Sequence, residues 1–280
     1  MALFRLPPLL QNKGGQQNRR RMPTEEEENT FLTHTFSECV ENHAGMQTLG
    51  CKHTVGLSEE DVAEIAAKLP ELCTLHKLEM NCEHASVVVF HGGVDFLLGK
   101  CGADELMQES KDQPFDSQFL NVRRKIVQNK HGRLNNCYAD LSQEPNIPEG
   151  KGTVIAFGCA PKISELRDRI PRLTGIATKG LYAETNKYVD VRKRQVGVGF
   201  HGDGERSIVV GVRLGKASMP LRFQWYNRAK PISDEYVIDL KHGDMYCMSW
   251  KATGHDWKCS SKTTLRHGVG RKAVKRKIGH

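Results

Sequence analysis

The second half of the chain breaks into short β-branched and aromatic runs punctuated by Gly, Pro and Asp, and this spacing restricts the fold more than any other feature. Ile208-Val209-Val210-Gly211-Val212-Arg213-Leu214-Gly215 is followed by Leu221-Arg222-Phe223-Gln224-Trp225-Tyr226, then by Tyr236-Val237-Ile238-Asp239-Leu240 and Met245-Tyr246-Cys247-Met248, with His242-Gly243-Asp244 as a turn between the last two. Runs of this length, separated by turn residues, read as antiparallel strands of a jelly roll. Upstream, residues 153–157 and 181–191 read as strands. Between them residues 161–172 read as a helix whose apolar face carries Ile163, Leu166 and Ile170.

The stretch Phe200-His201-Gly202-Asp203-Gly204-Glu205-Arg206 adds chemistry to this frame. Side chains two apart on a strand share a face, so His201 and Asp203 present an imidazole and a carboxylate to the same side. One further imidazole makes a metal site of two neutral nitrogens and a carboxylate on one face of an octahedron. The three remaining positions suit non-haem Fe(II) and admit a bidentate co-substrate together with O2. His242, His255 and His267 all fall in the right half of the chain. His242 lies in a turn and His255 in the loop-like Gly254-His255-Asp256-Trp257, whereas Thr263-Thr264-Leu265 ahead of His267 reads as a strand.

These pieces, in this order, resemble the AlkB-like branch of the Fe(II)/2-oxoglutarate-dependent dioxygenases over roughly residues 150 to 270. Asn186-Lys187-Tyr188 is similar to the Asn-x-Tyr that holds 2-oxoglutarate in that family. Leu240-Lys241-His242-Gly243-Asp244-Met245-Tyr246 is similar to the segment ahead of the distal ligand, and His267-Gly268-Val269 to the distal His-Gly-Val. The resemblance implies an α+β fold whose double-stranded β-helix (jelly-roll) core spans 151–270. An N-terminal α/β extension with a substrate lid would occupy 36–150, and tails would occupy 1–35 and 271–280. It implies Fe(II) held by His201, Asp203 and His267, with 2-oxoglutarate and O2 as co-substrates. The reaction would be hydroxylation of alkylated nucleobases, an N-methyl group leaving as formaldehyde. Hydroxylation of a protein or small molecule, and a non-catalytic binding module, are the alternatives. The family's 2-oxoglutarate-binding arginine lies well downstream of the distal histidine, and here only Arg271 and Arg276 follow. Arg213, on the strand after the metal motif, is the alternative. Glu205 is either directed at the substrate mouth or a solvated turn acid.

At 280 residues and 38% apolar content the chain can bury a large core. No apolar run approaches the ~20 residues of a helical membrane span. Nine cysteines without Cys-x-x-Cys spacing, and no secretory apolar segment, point to free thiols in a reducing, intracellular setting, cytoplasmic or nuclear; a monomer is expected. The acid-free start, with Arg5, Lys13, Arg19, Arg20 and Arg21, is compatible with organelle targeting, although Pro7 and Pro8 interrupt an amphipathic helix there. Ser58 ahead of Glu59-Glu60-Asp61 reads as a helix N-cap, residues 85–90 as a buried strand and 95–107 as helical.

The formal net charge is +8. Between Ser117 and Ala139 there is no acid, and Arg123, Arg124, Lys125, Lys130 and Arg133 are flanked by Phe119 and Tyr138. Cations interleaved with aromatics suit phosphate contact and base stacking on single-stranded nucleic acid, while a solvated basic hairpin is the plain reading of the same letters. The acid-free stretch from Lys258 to the end, with Arg271-Lys272-Ala273-Val274-Lys275-Arg276-Lys277, adds a basic tail suited to a polyanion and similar to a nuclear-import cluster.

Overall fold

Ala85-Ser86-Val87-Val88-Val89-Phe90 is buried at every position, which a strand achieves only when both of its faces are covered. Val88 and Phe90 pack with Val62 and Ile65 of the helix Glu59–Lys68, with Leu106 of Gly102–Lys111, and with Ile163 and Leu166 of Pro161–Arg169. Val87 and Val89 turn the other way, onto Phe223, Trp225 and Leu265. Each such side chain contributes roughly 1.5–3 kcal/mol by leaving water.

A computed structural model describes residues 24–270 except 54, 178, 179 and 218. In chain order its strands are β1 (Phe31–Ser37), β2 (Cys39–Glu41), β3 (Thr48–Gly50), β4 (Cys73–Met80), β5 (Glu83–Phe90), β6 (Gln118–Asn121), β7 (Ile126–Asn129), β8 (Leu134–Ala139) and β9 (Val154–Ala156). They continue with β10 (Tyr182–Tyr188), β11 (Val198–His201), β12 (Val210–Leu214), β13 (Leu221–Asn227), β14 (Lys230–Pro231), β15 (Tyr236–Ile238), β16 (Met245–Met248) and β17 (Thr263–Val269). Eight of them form one sheet in the order β4-β5-β16-β12-β1-β10-β8-β9, antiparallel except for the β8–β9 pair. A five-stranded antiparallel sheet, β11-β17-β13-β14 with β15 also on β13, packs on one face of the larger sheet, and the helices cover the other. The result is an α+β fold built on a β-sandwich. Among the described residues no helix is long and apolar enough to cross a membrane.

Several boundaries differ from the sequence reading. Residues 31–35, assigned to the N-terminal tail, lie in β1, a buried strand hydrogen-bonded to β10 on one side and β12 on the other. The strand is half polar, because Thr33 and Thr35 face a cavity, while His34 is buried between Thr185 and Ser110 hydroxyls at 2.6 and 2.9 Å. That polarity, following Glu25–Glu28, conceals it. The stretches 36–150 and 151–270 are interleaved in one sheet, β5 pairing β16 and β8 pairing β10. The helix expected over 95–107 is two, Gly93–Leu98 and Gly102–Lys111, separated by positive φ at Gly99 (93°) and Cys101 (68°). That over 161–172 stops at Arg169 and restarts at Pro171, whose ring cannot continue the hydrogen-bond ladder. Ser58 does cap its helix: its hydroxyl accepts from the Asp61 N–H at 3.0 Å and the Asp61 carboxylate accepts from the Ser58 N–H at 2.8 Å.

Gly211 on β12 illustrates how tightly the sandwich closes. A Cβ there would fall 1.9 Å from Cζ of the buried Tyr246 ring on β16. Gly211→Ala is therefore expected to lower unfolding free energy by ~1–3 kcal/mol through overpacking, read as a drop in the urea midpoint at unchanged slope.

Candidate metal centre

β11 and β17 run antiparallel and place His201 directly opposite His267, with a register irregularity between Val198 and His201. The imidazole centroids are 4.6 Å apart. The chain then turns so that the Asp203 N–H donates to the Thr253 carbonyl at 2.8 Å. Gly202 permits this turn: a Cβ there would lie 2.1 Å from the Gly254 carbonyl oxygen and 2.6 Å from the Trp257 ring. Asp203 Oδ1 ends 3.6 Å from His201 Nε2 and 3.6 Å from His267 Nε2. All three ligand atoms lie within 4.8 Å of one another.

The protonation states favour a cation. His201 Nδ1 lies 2.8 Å from the Gly199 carbonyl; a carbonyl only accepts, so Nδ1 donates there and Nε2 is the nitrogen turned toward Asp203. Burial lowers the His267 imidazole to about 4, against the opposing pull of Asp203. Burial alone would raise the Asp203 carboxyl, but the neighbouring positive charge, Arg206 foremost, outweighs it and holds the group below its ordinary range. Two imidazoles, that of His267 kept neutral by burial, and an ionised carboxylate fit a divalent transition metal.

No protein-family model matches this chain. It is 37% identical over 250 residues, 85% of this chain and 95% of the other, to "Uncharacterized protein R156" of Acanthamoeba polyphaga mimivirus. The chain belongs to the R156 family.

In this member of the R156 family the cluster opens into a cavity of about 650 Å³. β10 sends Glu184, Asn186 and Tyr188 to one face at strand spacing, and all three line the cavity. Asn186 Oδ1 is buried without a hydrogen-bond partner, and Tyr188 stacks on Phe31 at 4.3 Å. Of the three candidate histidines, His267 alone joins the pair. His255 lines the cavity but stacks on Trp250 at 4.1 Å with Nδ1 on the Trp250 carbonyl, and His242 accepts from the Gly215 N–H and faces Asp104. Arg213 is not in the cavity lining. Its guanidinium is buried over the Phe31 ring at 3.6 Å and donates to the carbonyls of Leu214 and Ala217. Arg271, Arg276 and the C-terminal basic tail lie outside the described residues.

A buried charge network that sequence reasoning missed supports the cluster. Arg206 donates to Glu184 at 3.1 Å and to Glu205 at 2.8 Å, and its Nε stands 3.8 Å from Asp203 Oδ2. Arg133 approaches Glu184 at 3.5 Å, and Asn135 donates to it at 3.1 Å. Glu184 is buried, which would raise its carboxyl, yet Arg206 and Arg133 hold it below the ordinary range. The signal available was Glu184 in register with Asn186 and Tyr188.

The basic segment divides in two. Arg123, Arg124 and Lys125 are exposed at the tip of the β6–β7 hairpin, while Lys130 bonds to Asn42 and Asn135 and Arg133 reaches Glu184. Phe119 packs on His43 at 3.8 Å. Tyr138, expected to stack on a base, is fully buried beside Phe157 and His34, because β8 is an interior strand.

Proposed function

We propose that this protein is an Fe(II)/2-oxoglutarate-dependent dioxygenase of the AlkB-like kind, its β-sandwich a double-stranded β-helix, and that it hydroxylates alkylated nucleobases. The observation that carries the reading is the His201–Asp203–His267 cluster on facing strands, with both Nε2 atoms aimed at one carboxylate oxygen inside a cavity. Fe(II) there would supply activation of O2 and oxidation of the co-substrate 2-oxoglutarate. The chain's own residues do the rest. His201, Asp203 and His267 hold the ion on one face. Asn186, whose Oδ1 has no protein partner, and Tyr188 offer polar contacts for 2-oxoglutarate. Arg206 keeps Asp203 ionised and turned by its second oxygen away from the histidines. The exposed cations of the β6–β7 hairpin suit a phosphate backbone.

A metal-holding module without turnover is the second reading. It is favoured by one observation: both arginines lining the cavity, Arg133 and Arg206, are paired with acids, and Arg213 is engaged by carbonyls. That leaves Arg271 or Arg276, both outside the described residues, as the arginine for the distal carboxylate of 2-oxoglutarate.

Succinate release separates the readings. With Fe(II), 2-oxoglutarate and methylated single-stranded DNA or RNA, succinate and formaldehyde are expected to form together, and Arg271→Met to raise KM for 2-oxoglutarate more than Arg213→Met does. Succinate formed only with peptide or small-molecule substrates would move the reading to a hydroxylase of those, and none under any condition would leave the non-catalytic module.

A further inference from the structure

The five-stranded sheet has a second face, turned away from the sandwich, whose chemistry is unlike that of the first. Inward, β13 and β17 send Phe223, Trp225 and Leu265 into the core and His267 into the metal cavity. Side chains alternate along a strand and paired residues share a face. Outward, then, Arg222 lies between Val237 of β15 and Gly268 of β17, Gln224 beside Arg266, and Tyr226 beside Pro231 of β14. Phe200 of β11, next to the inward His201, joins them.

Cation and ring alternate across this face. The Arg222 guanidinium is 4.9 Å from the centre of the Phe200 ring, and Phe200 is 6.0 Å from Tyr226. Arg266 is 4.2 Å from the Tyr226 ring and 5.4 Å from that of Trp257, against which the Lys258 ammonium stands at 5.5 Å. A guanidinium stacked on a ring is held flat and gives up little freedom when its N–H groups find an acceptor. Glu235 answers Arg222 at 3.1 Å. Among the described residues Arg266 has one acceptor, the Trp257 carbonyl at 3.5 Å, and no acid. Arg228 and Lys230, exposed at the β13–β14 turn, have none either. Apolar surface lies among these cations: Val237, directly opposite Arg222, is 51% exposed, and Ile232, just past β14, is 41% exposed.

Arg with Tyr, Phe and Trp around a few exposed apolar side chains is the composition of protein-docking surfaces. The excess of cations calls for carboxylates, which a guanidinium fork grips with two hydrogen bonds. A nucleic-acid strand suits the face less well, because base stacking needs open rings. Here Arg222, Arg266 and Lys258 already stand against Phe200, Tyr226 and Trp257.

We propose that the outward face of the five-stranded sheet docks an acidic segment of a protein partner, with carboxylates on Arg266, Arg228 and Lys230 and an apolar side chain over Val237. Trp257 and Lys258 also line the metal cavity, so the partner would sit at its rim. The surface does not depend on what reacts inside.

The test is fluorescence anisotropy of the full chain, loaded with Mn(II), with a fluorescein-labelled peptide in which Glu alternates with Leu. The same peptide with Gln in place of Glu, or with Ser in place of Leu, serves as comparison. The Glu–Leu peptide is expected to bind about tenfold more tightly than either and to lose a similar factor in Arg266→Met, the size of effect seen for an anchoring arginine. Val237→Asp, at an exposed position, should weaken it while Mn(II) stoichiometry stays unchanged. Lys100→Glu, between the helices Gly93–Leu98 and Gly102–Lys111, should leave peptide binding as in the parent. Equal binding of the three peptides, parent-like binding in Val237→Asp or in folded Arg266→Met, or equal weakening by Lys100→Glu would each overturn the proposal. So would a thymidine oligonucleotide that competes with the peptide and loses as much affinity in Arg266→Met, which would give the face to nucleic acid. Binding is read without 2-oxoglutarate or turnover, so absent succinate release counts against the oxygenase reading and leaves this one standing.

Discussion

Asp203→Ala, His201→Ala and His267→Ala are each expected to abolish tight binding of Mn(II) or Fe(II), whereas His255→Ala keeps a single ion per chain. The three ligand atoms lie within 4.8 Å of one another, and no fourth His, Cys, Asp or Glu joins them among the described residues. Removing one therefore leaves two donors. Loss of a residue that only supports a ligand typically weakens a site 10- to 100-fold, so loss of a ligand should exceed roughly 100-fold. Metal content after dialysis and a calorimetric titration read this directly. Full stoichiometry in any of the three alanine variants would remove the residue from the site, and loss in His255→Ala would reopen the choice of histidine.

Arg206→Met is expected to destabilise the metal-free protein by ~3–5 kcal/mol at neutral pH, the usual range when one partner of a buried ionic group is removed and the others stay charged. Glu184 and Asp203 both depend on Arg206 to offset their burial. The sign of the pH dependence should also change. In the parent protein both carboxyls sit below their ordinary range, so their contribution is in place above the unfolded-state values and is lost as acid takes pH down through the folded ones. Without the guanidinium, burial raises both, protonation becomes favourable in the folded state, and the deficit should shrink from pH 7 toward about pH 5. Urea unfolding of parent and variant at the two pH values measures it. A deficit that stays constant or grows in acid would show that Arg206 acts by packing alone.

The strands of the second half were legible because their apolar runs are short and bounded by Gly, Asp and Pro, and the most apolar of them, β12 and β16, are buried at every position. The His-x-Asp pair was legible by its letters, but the expected shared strand was not: β11 ends at His201, and a turn at Gly202 brings Asp203 to the same site. β1 was not, since a strand that lines a polar cavity on one face and buries a histidine on the other lacks the apolar alternation that marks strands. Nor was the Arg206–Glu184 pair, because residues 22 positions apart carry no local sign of contact and charged letters on a strand read as its wet face. Tyr138 was misassigned for a related reason: flanking position was taken for exposure, and pairing of β8 with β10 decides otherwise.

β1 has a consequence for how the molecule comes into being. Among the described residues it is the first strand made, yet both of its neighbours in the sheet come from residues 182–188 and 210–214. On a ribosome the emerging Phe31–Ser37 must wait, without its strand partners, until well over half of the 280 residues have been synthesised, and His267 arrives later still on β17. Such long loop closures slow folding and lengthen exposure to wrong partners. Birth of this protein should therefore be a largely post-translational event, with a nascent chain that leans on holding chaperones and becomes resistant to protease only after release.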